Sequence, residues 1–351
     1  MHREVATPPT GRQSARPGPS DGSGAASCPA ARARCVTHVI GRSSELTDFL
    51  FEELRALDDV RVIAHPYPPR RPWRNVLKAV DAYLLPRTSR SFYFGADYVE
   101  QLRRIGPDDK VLFFTIDNRK DLQIIRKFIA ARELAVWLWN PIRSFRSSAP
   151  SRWWFLRWLR RAGIRAYTFD PRDARDFGLE LTPQVFRHMA AEPDADAPRT
   201  DVYFVGADKG RLAELRAIEA RLQRAGLSTH FHVVGDRGKR YDADERRWLR
   251  SEQLSYRENL DRVRRSRAVL EILQTCQSGA TLRYVEALFL DRKLITNNRA
   301  IREAPGYDPS RFFILGEDDL AGLRAFVETP ARPVCPRVLA RHAIGTWLRQ
   351  F

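Results

Sequence analysis

Residues 271–298 read EILQTCQSGATLRYVEALFLDRKLITNN. The apolar run 268–273 that leads into them has the make-up of a buried strand. A polar loop holding Ser278 and Gly279 follows. Apolar residues then recur at helical spacing over 281–290, and residues 293–296 return to a short apolar strand. Two apolar strands separated by one helix are joined by a crossover, which is how parallel neighbours connect.

The start of that helix carries chemistry. Its first backbone N–H groups have no partner inside the helix. The positive end of the helix dipole adds to them and makes an anion site. Gly279 lets a phosphate come close. Arg283, in the first turn after Thr281, is able to clamp a diphosphate through two parallel hydrogen bonds. Glu286, further along, is placed to accept hydrogen bonds from ligand hydroxyls. A plain turn at Gly279 and a solvated face at Glu286 account for the same letters.

Working outward, the strand–helix rhythm continues on both sides. Downstream stand a strand at 312–315, a helix at 318–327 and a terminal helix at 336–349. Upstream, residues 201–205 are a strand that ends in VGADKGR, 205–211. A helix then runs to 225, with Gly226 as its cap. In VGADKGR, Gly206, Lys209 and Arg211 face the same crevice as the Gly279 loop if both loops lie at strand carboxyl ends. A capped helix start gives the same letters. VGDRG at 234–238 reads as a turn. Strands at 229–234 and 268–273 and a helix at 256–265 complete the series.

The segment AAEPDADAPR, 190–199, is polar, holds two prolines and reads as a linker. Before it lies an equivalent series. Strands are expected at 36–40, 60–64, 110–116, 134–139 and 164–169. Helices are expected after Ser43 or Ser44 and at 73–85, 121–131 and 151–162. Residues 1–34 are rich in Pro, Gly, Ser, Ala and Arg and read as a disordered tail. The expected organisation is a tail at 1–34, a Rossmann-like α/β domain at 35–189, the linker at 190–199, a second Rossmann-like domain at 200–330 and a C-terminal helix at 331–351. Ligands of such sheets bind outside the carboxyl ends of the strands.

The bulk numbers agree with two domains. The chain has 351 residues and a mass of 40.5 kDa. Its net charge is +17, from 60 Lys+Arg against 43 Asp+Glu, and 53 of the cations are Arg. Part of that skew is codon-like Arg bias, which discounts it as a clue to partners. The cysteines Cys28, Cys35, Cys276 and Cys335 form no CxxC pair, so neither a disulfide framework nor a zinc module is expected. No stretch is long and apolar enough to span a membrane, and no signal-peptide core is present.

These pieces, in this order, resemble the nucleotide-binding domain of the GT-B glycosyltransferases. The phrase VEALFLDRKLITNN, 285–298, is similar to the family's ribose-binding stretch. DKGR at 208–211 and SGATLR at 278–283 also resemble proteins of bacterial surface-polysaccharide gene clusters, those of lipopolysaccharide and capsule. The likeness is good over 201–315. It is looser over 110–186, where it rests on FFTIDN, WLWNPI and YTFDP.

The resemblance implies two Rossmann-like domains facing across a cleft. It implies transfer of a hexosyl or related group from a nucleotide-sugar donor to a glycan or lipid-linked acceptor, in surface polysaccharide synthesis. It places the protein in the cytoplasm, peripheral at the inner face of the cytoplasmic membrane. It gives Lys209 and Arg283 phosphate roles and Glu286 a ribose role, with Gly206, Arg211, Ser278, Gly279 and Thr281 completing the donor site. Many retaining members carry a second Glu eight residues before the ribose Glu. Ser278 stands there in this chain, so the stereochemistry is open.

A transferase of this kind uses a base for the acceptor hydroxyl, or holds the acceptor close to the donor phosphate. Asp117, His65 and Asp170 follow strands of the first domain and are the catalytic candidates, with Asn140 also at a strand end. Asp at a strand end also caps the next helix, and His65 before Pro66 also fits a turn. Two literal DxD sequences, at 194–196 and 242–244, do not follow apolar strands. No metal and no other cofactor is expected.

Between Glu133 and Asp170 there is no acidic residue, but there are seven Arg and five Trp. On a helical wheel Trp154, Phe155, Trp158 and Leu159 share one side. Arg152 and Arg161 flank it, and Arg157 and Arg160 lie opposite. That suits a helix lying on an anionic membrane surface. A helix packed on the sheet with its Arg snorkelling fits equally well. A nucleic-acid-binding protein is the remaining use for the charge, but no recognition motif is present and no specific nucleic acid is expected. A GT-B-like pair that binds nucleotide or glycan without catalysis is the other alternative.

Overall fold

The computed structural model describes residues 35–67, 71–87, 90–145, 148–189, 200–274 and 277–351. The strands are β1 (Thr37–Arg42), β2 (Val60–His65), β3 (Lys110–Phe114), β4 (Glu133–Leu138), β5 (Ile164–Thr168), β6 (Glu180–Leu181), β7 (Thr200–Ala207), β8 (Thr229–Val234), β9 (Ser266–Glu271), β10 (Lys293–Thr296) and β11 (Phe312–Ile314). The helices are α1 (Glu45–Arg55), α2 (Pro72–Tyr83), α3 (Ala96–Arg103), α4 (Arg119–Arg126), α5 (Ala149–Arg161), α6 (Pro171–Phe177), α7 (Leu212–Arg224), α8 (Ala243–Trp248), α9 (Tyr256–Arg264), α10 (Leu282–Phe289), α11 (Leu323–Glu328), α12 (Pro336–His342) and α13 (Ile344–Leu348).

β1 to β6 form one parallel sheet, in the order β2-β1-β3-β4-β5-β6. β7 to β11 form a second, in the order β11-β10-β9-β7-β8. The central strands are covered on both faces, as parallel strands need to be: Val111–Phe114 and Val136–Leu138 are buried throughout. The two Rossmann-like α/β domains read from the sequence are the architecture of the chain.

Local sequence explains where elements begin. Ser44 caps α1 through a reciprocal pair with Thr47, and α1 then buries Leu50, Phe51 and Leu54. Asn118 caps α4 and Asp170 caps α6, each accepting from two backbone N–H groups.

One apolar core runs through both halves. It joins Val39, Phe114 and Trp137 of the first sheet to Tyr203, Val269 and Tyr284 of the second. The chain end completes it. Ala343 pairs with Phe186, and Trp347 is fully buried against Phe114 and Trp137, its Nε1 donating to the Pro183 carbonyl at 3.0 Å. Truncating a buried Trp of this kind costs about 3–5 kcal/mol, so the terminal segment is a structural tie between the halves.

Two readings need correction, and a third is settled by the cap of α8. The single terminal helix at 336–349 is two helices, α12 and α13, broken at Ala343, whose extended backbone accompanies the pairing with Phe186. Helices α3 and α6 were not expected, because α3 has only eight residues and α6, PRDARDF, is short with four charged residues among seven. Asp242 caps α8, so the second DxD sequence is a helix start. The expected tail at 1–34 and linker at 190–199 lie outside the described residues, as do Cys28, Cys276, Asp194 and Asp196.

Candidate functional site

The carboxyl ends of both sheets open on one cleft. Its outer chamber, about 1510 Å³, is lined by residues that follow β3 (Asp117, Asn118), β4 (Asn140), β7 (Lys209), β8 (Asp236, Arg237) and β9 (Gln274, Gln277). An inner chamber of about 250 Å³ shares Asn140, Lys209, Gln274 and Gln277 with it. Gly206, Arg211, Glu271, Thr281 and Arg283 also line the inner chamber.

The β7 loop is held from below. Lys209 has φ +46° and Gly210 φ +78°, two successive left-handed residues that turn the chain sharply into α7. Under the turn, buried Asp208 accepts from the Leu212 N–H at 2.8 Å, the Tyr241 hydroxyl at 2.9 Å and the Lys239 ammonium. Burial pushes the Asp208 pKa up, but these hydrogen bonds outweigh it and hold the carboxyl below its ordinary value. The guanidinium of Arg211 donates to the carbonyls of Ala207, at 2.9 Å, and Ile272. It pins the β7 and β9 ends together while lining the inner chamber.

The start of α10 differs from expectation. Thr281 caps the helix, accepting from the Arg283 N–H at 3.1 Å. The N–H groups of Ser278 and Gly279, expected to take a phosphate, donate to the Asp170 carboxylate at 2.7 and 3.1 Å, and the Ser278 hydroxyl adds a 2.7 Å bond. The same carboxylate caps α6 through Arg172 and Asp173. Asp170, expected as a catalytic candidate, is buried with both oxygens engaged as an interdomain cap. The close approach that Gly279 permits is to protein: a Cβ there would lie 2.5 Å from the Phe169 carbonyl oxygen. Ser278 and Gly279 line a separate cavity of about 550 Å³ with Arg172, Tyr284 and His342, away from Lys209.

Glu286 also departs from its expected place. It is fully buried, and its carboxylate accepts from the Tyr256 hydroxyl at 2.9 Å, the Asn259 amide at 3.3 Å and the Arg283 guanidinium. Burial pushes its pKa up while Arg283 pulls against that. Glu286 therefore orients Arg283, which faces the inner chamber, rather than presenting its carboxylate to that chamber. Sequence reasoning missed Glu271. It is buried at the end of β9, takes a 2.6 Å bond from Thr296 and another from Thr281, and its pKa is raised by burial. A carboxylate inside the apolar run AVLEIL was the available signal.

On the opposite wall, Asp117 keeps its expected position. Thr115, just before it, has φ +62°, an unfavourable value for a β-branched residue and a strain typical of functional loops. Arg42 Nη2 lies 3.4 Å from Asp117 Oδ1. Burial raises the Asp117 pKa, with Arg42 opposing. His65 does not reach the cleft. It is buried, with Nδ1 2.8 Å from the Tyr98 hydroxyl and Nε2 3.8 Å from Asp121, and burial lowers its pKa. Tyr98, Phe94 and Asp121 enclose the ring and keep it from the cleft where a catalytic role was expected. Lys78, which pairs with Asp121 at 2.6 Å, is the member of that cluster that lines the outer chamber.

Helix α5 forms part of the chamber wall through Arg152, Trp154 and Phe155. The expected apolar side is split. Phe155 and Leu159 pack inward with Leu156, while Trp154 turns outward beside Trp153. Trp158 is half-buried under the Arg119 guanidinium, 5.8 Å from its ring. Arg157 covers Trp153, and Arg161 is exposed. No helix among the described residues is long and apolar enough to cross a membrane, and none of their acidic, His and Cys side chains form a group placed to hold a metal.

A scan against protein-family models and a search of curated proteins return no match. Solved structures do match. A sucrose-phosphate synthase from Thermosynechococcus elongatus superposes with a TM-score of 0.51 at 13% identity, over 90% of this chain and 97% of that one. The glycosyltransferase SnogD from Streptomyces nogalater gives a TM-score of 0.41 at 15% identity, over 91% and 99%. At such identities the first likeness speaks to the fold, which is the two-domain GT-B arrangement.

Proposed function

We propose that this chain is a glycosyltransferase that moves a sugar from a nucleotide-sugar donor to a hydroxyl-bearing acceptor. One observation carries the reading: strand ends of both sheets meet in a single two-chamber cleft, with a carboxylate of raised pKa on one wall and cations on the other. Lys209 and Arg283 would take the donor phosphates in and beside the inner chamber. Asp117 would accept the proton of the acceptor hydroxyl, a role that a carboxylate with raised pKa performs better than an ordinary one. The neighbouring Arg42 opposes that rise and favours the ionised form. The sequence resemblance supports a hexosyl or related donor, a glycan or lipid-linked acceptor and a setting in bacterial surface polysaccharide synthesis. The outward Trp153 and Trp154 support peripheral attachment at the inner face of the cytoplasmic membrane.

A second reading has its own support. Asp170 occupies the Ser278–Gly279 amides, and Glu286 is enclosed by protein groups, so two expected donor contacts are not available in this conformation. A nucleotide-binding protein without turnover would tolerate both. A panel of sugar nucleotides, assayed for hydrolysis and for transfer to glycan and lipid acceptors, separates the two. Turnover by the wild type that falls at least about a hundredfold in Asp117→Asn supports the transferase. Nucleotide binding with no turnover of any donor supports the second reading instead.

A further inference from the structure

Helix α2 is built inside out. The residues it buries are Lys78, Asp81 and Ala82, and the charged pair is held by partners on α4 and just after it. Lys78 meets Asp121 at 2.6 Å, and Asp81 faces Lys127 at 3.8 Å. Its outer side carries Trp73, Val76 and Tyr83, followed by Leu84, with Val76 66% and Leu84 75% exposed. An apolar helix face turned to solvent needs an occupant.

The second such surface is on α5, where Trp153 and Trp154 are 54% and 52% exposed. The two faces converge. Tyr83 of α2 and Trp154 of α5 both line the outer chamber, and Arg119 links the two helices, its guanidinium 5.7 Å from the Tyr83 ring and 5.8 Å from that of Trp158 on α5. The two segments themselves carry exposed charge of one sign. Residues 66–96 contain one acid, Asp81, which is buried, and residues 134–169 contain none. Exposed aromatics and aliphatics among Arg, with no exposed carboxylate in either segment, match the interfacial region of a bilayer that carries anionic lipid.

We infer that the outer faces of α2 and α5 form one docking surface for an anionic bilayer, and that the outer chamber opens onto it. Resting on the transferase reading, the acceptor then enters from the membrane side as an amphiphile with an anionic head. Lys78, Arg119, Lys120 and Arg152 line the chamber it enters.

The test uses the full chain and two kinds of probe. Vesicles of phosphatidylcholine alone and of phosphatidylcholine with phosphatidylglycerol are compared by co-sedimentation. The expected result is binding to the anionic vesicles only, weakened at least about tenfold in the double variant Val76→Ser and Leu84→Ser. Both positions are exposed, so the fold is retained, and sugar-nucleotide binding by the same variant stays at the wild-type level. Octyl phosphate, below its micelle concentration, is expected to raise the melting temperature of the wild type and not of Lys120→Ala, while inorganic phosphate alone gives no shift. Equal binding to both vesicle types, unchanged binding by the α2 variant, or a dimer that the α2 variant dissociates would overturn the docking surface. A stabilisation by inorganic phosphate equal to that by octyl phosphate would overturn the amphiphile. Failure of the donor to bind would count against the transferase reading and leave the vesicle result standing.

Discussion

Asp117 and Asp170 are both aspartates at the end of a strand of the same sheet, yet they do different things. Asp117 follows a strained Thr115 and stands on the chamber wall beside Arg42. Asp170 is closed in by backbone N–H groups from two helices' starts. If Asp117 is the base, activity requires it ionised, and the acid limb of the pH–rate profile lies above that of an ordinary aspartate, because burial raises its pKa. Arg42 lowers that pKa, so Arg42→Met moves the limb further up in pH. An unmoved limb would remove Asp117 from the reaction. Asp117 was legible as a strand-end carboxylate. The role of Asp170 was not, because its partner Ser278 lies 108 residues further along the chain and no local pattern announces such a pairing.

At the scale of elements, the start of α10 is the strand–loop–helix read from the sequence, but the N–H groups expected to cradle a phosphate donate to Asp170. The glycine was present for a close approach, but the approaching atom is the Phe169 carbonyl oxygen, at 2.5 Å from where a Cβ would stand. Gly279→Ala is therefore expected to lower stability by about 1–3 kcal/mol, measured by denaturant unfolding, with donor affinity less affected. Full stability with lost donor binding would restore the phosphate reading. Helix α2 shows the same limit. The helix itself was legible at 73–85, but which face turns inward is decided by Asp121 and Lys127, which lie elsewhere in the chain. The parallel strands were legible because burial on both faces leaves unbroken apolar runs, whereas short polar α6 leaves none.

At the scale of the molecule, two sheets share one core and one cleft, and the final residues tie the second half back to the first through Trp347. The high charge is not uniform in consequence. Some of it stands on the chamber walls, as Lys78, Arg119, Lys120, Arg152, Lys209 and Arg237. Phosphate-bearing ligands suit a cleft with such walls. The central claim is that this cleft holds a nucleotide-sugar. Calorimetric titration of the full chain with a panel of sugar nucleotides tests it most directly. The expected result is binding of at least one donor, weakened about tenfold or more in Lys209→Gln, which removes the charge and keeps a polar side chain. No heat with any donor, or an affinity that Lys209→Gln leaves unchanged, would contradict it.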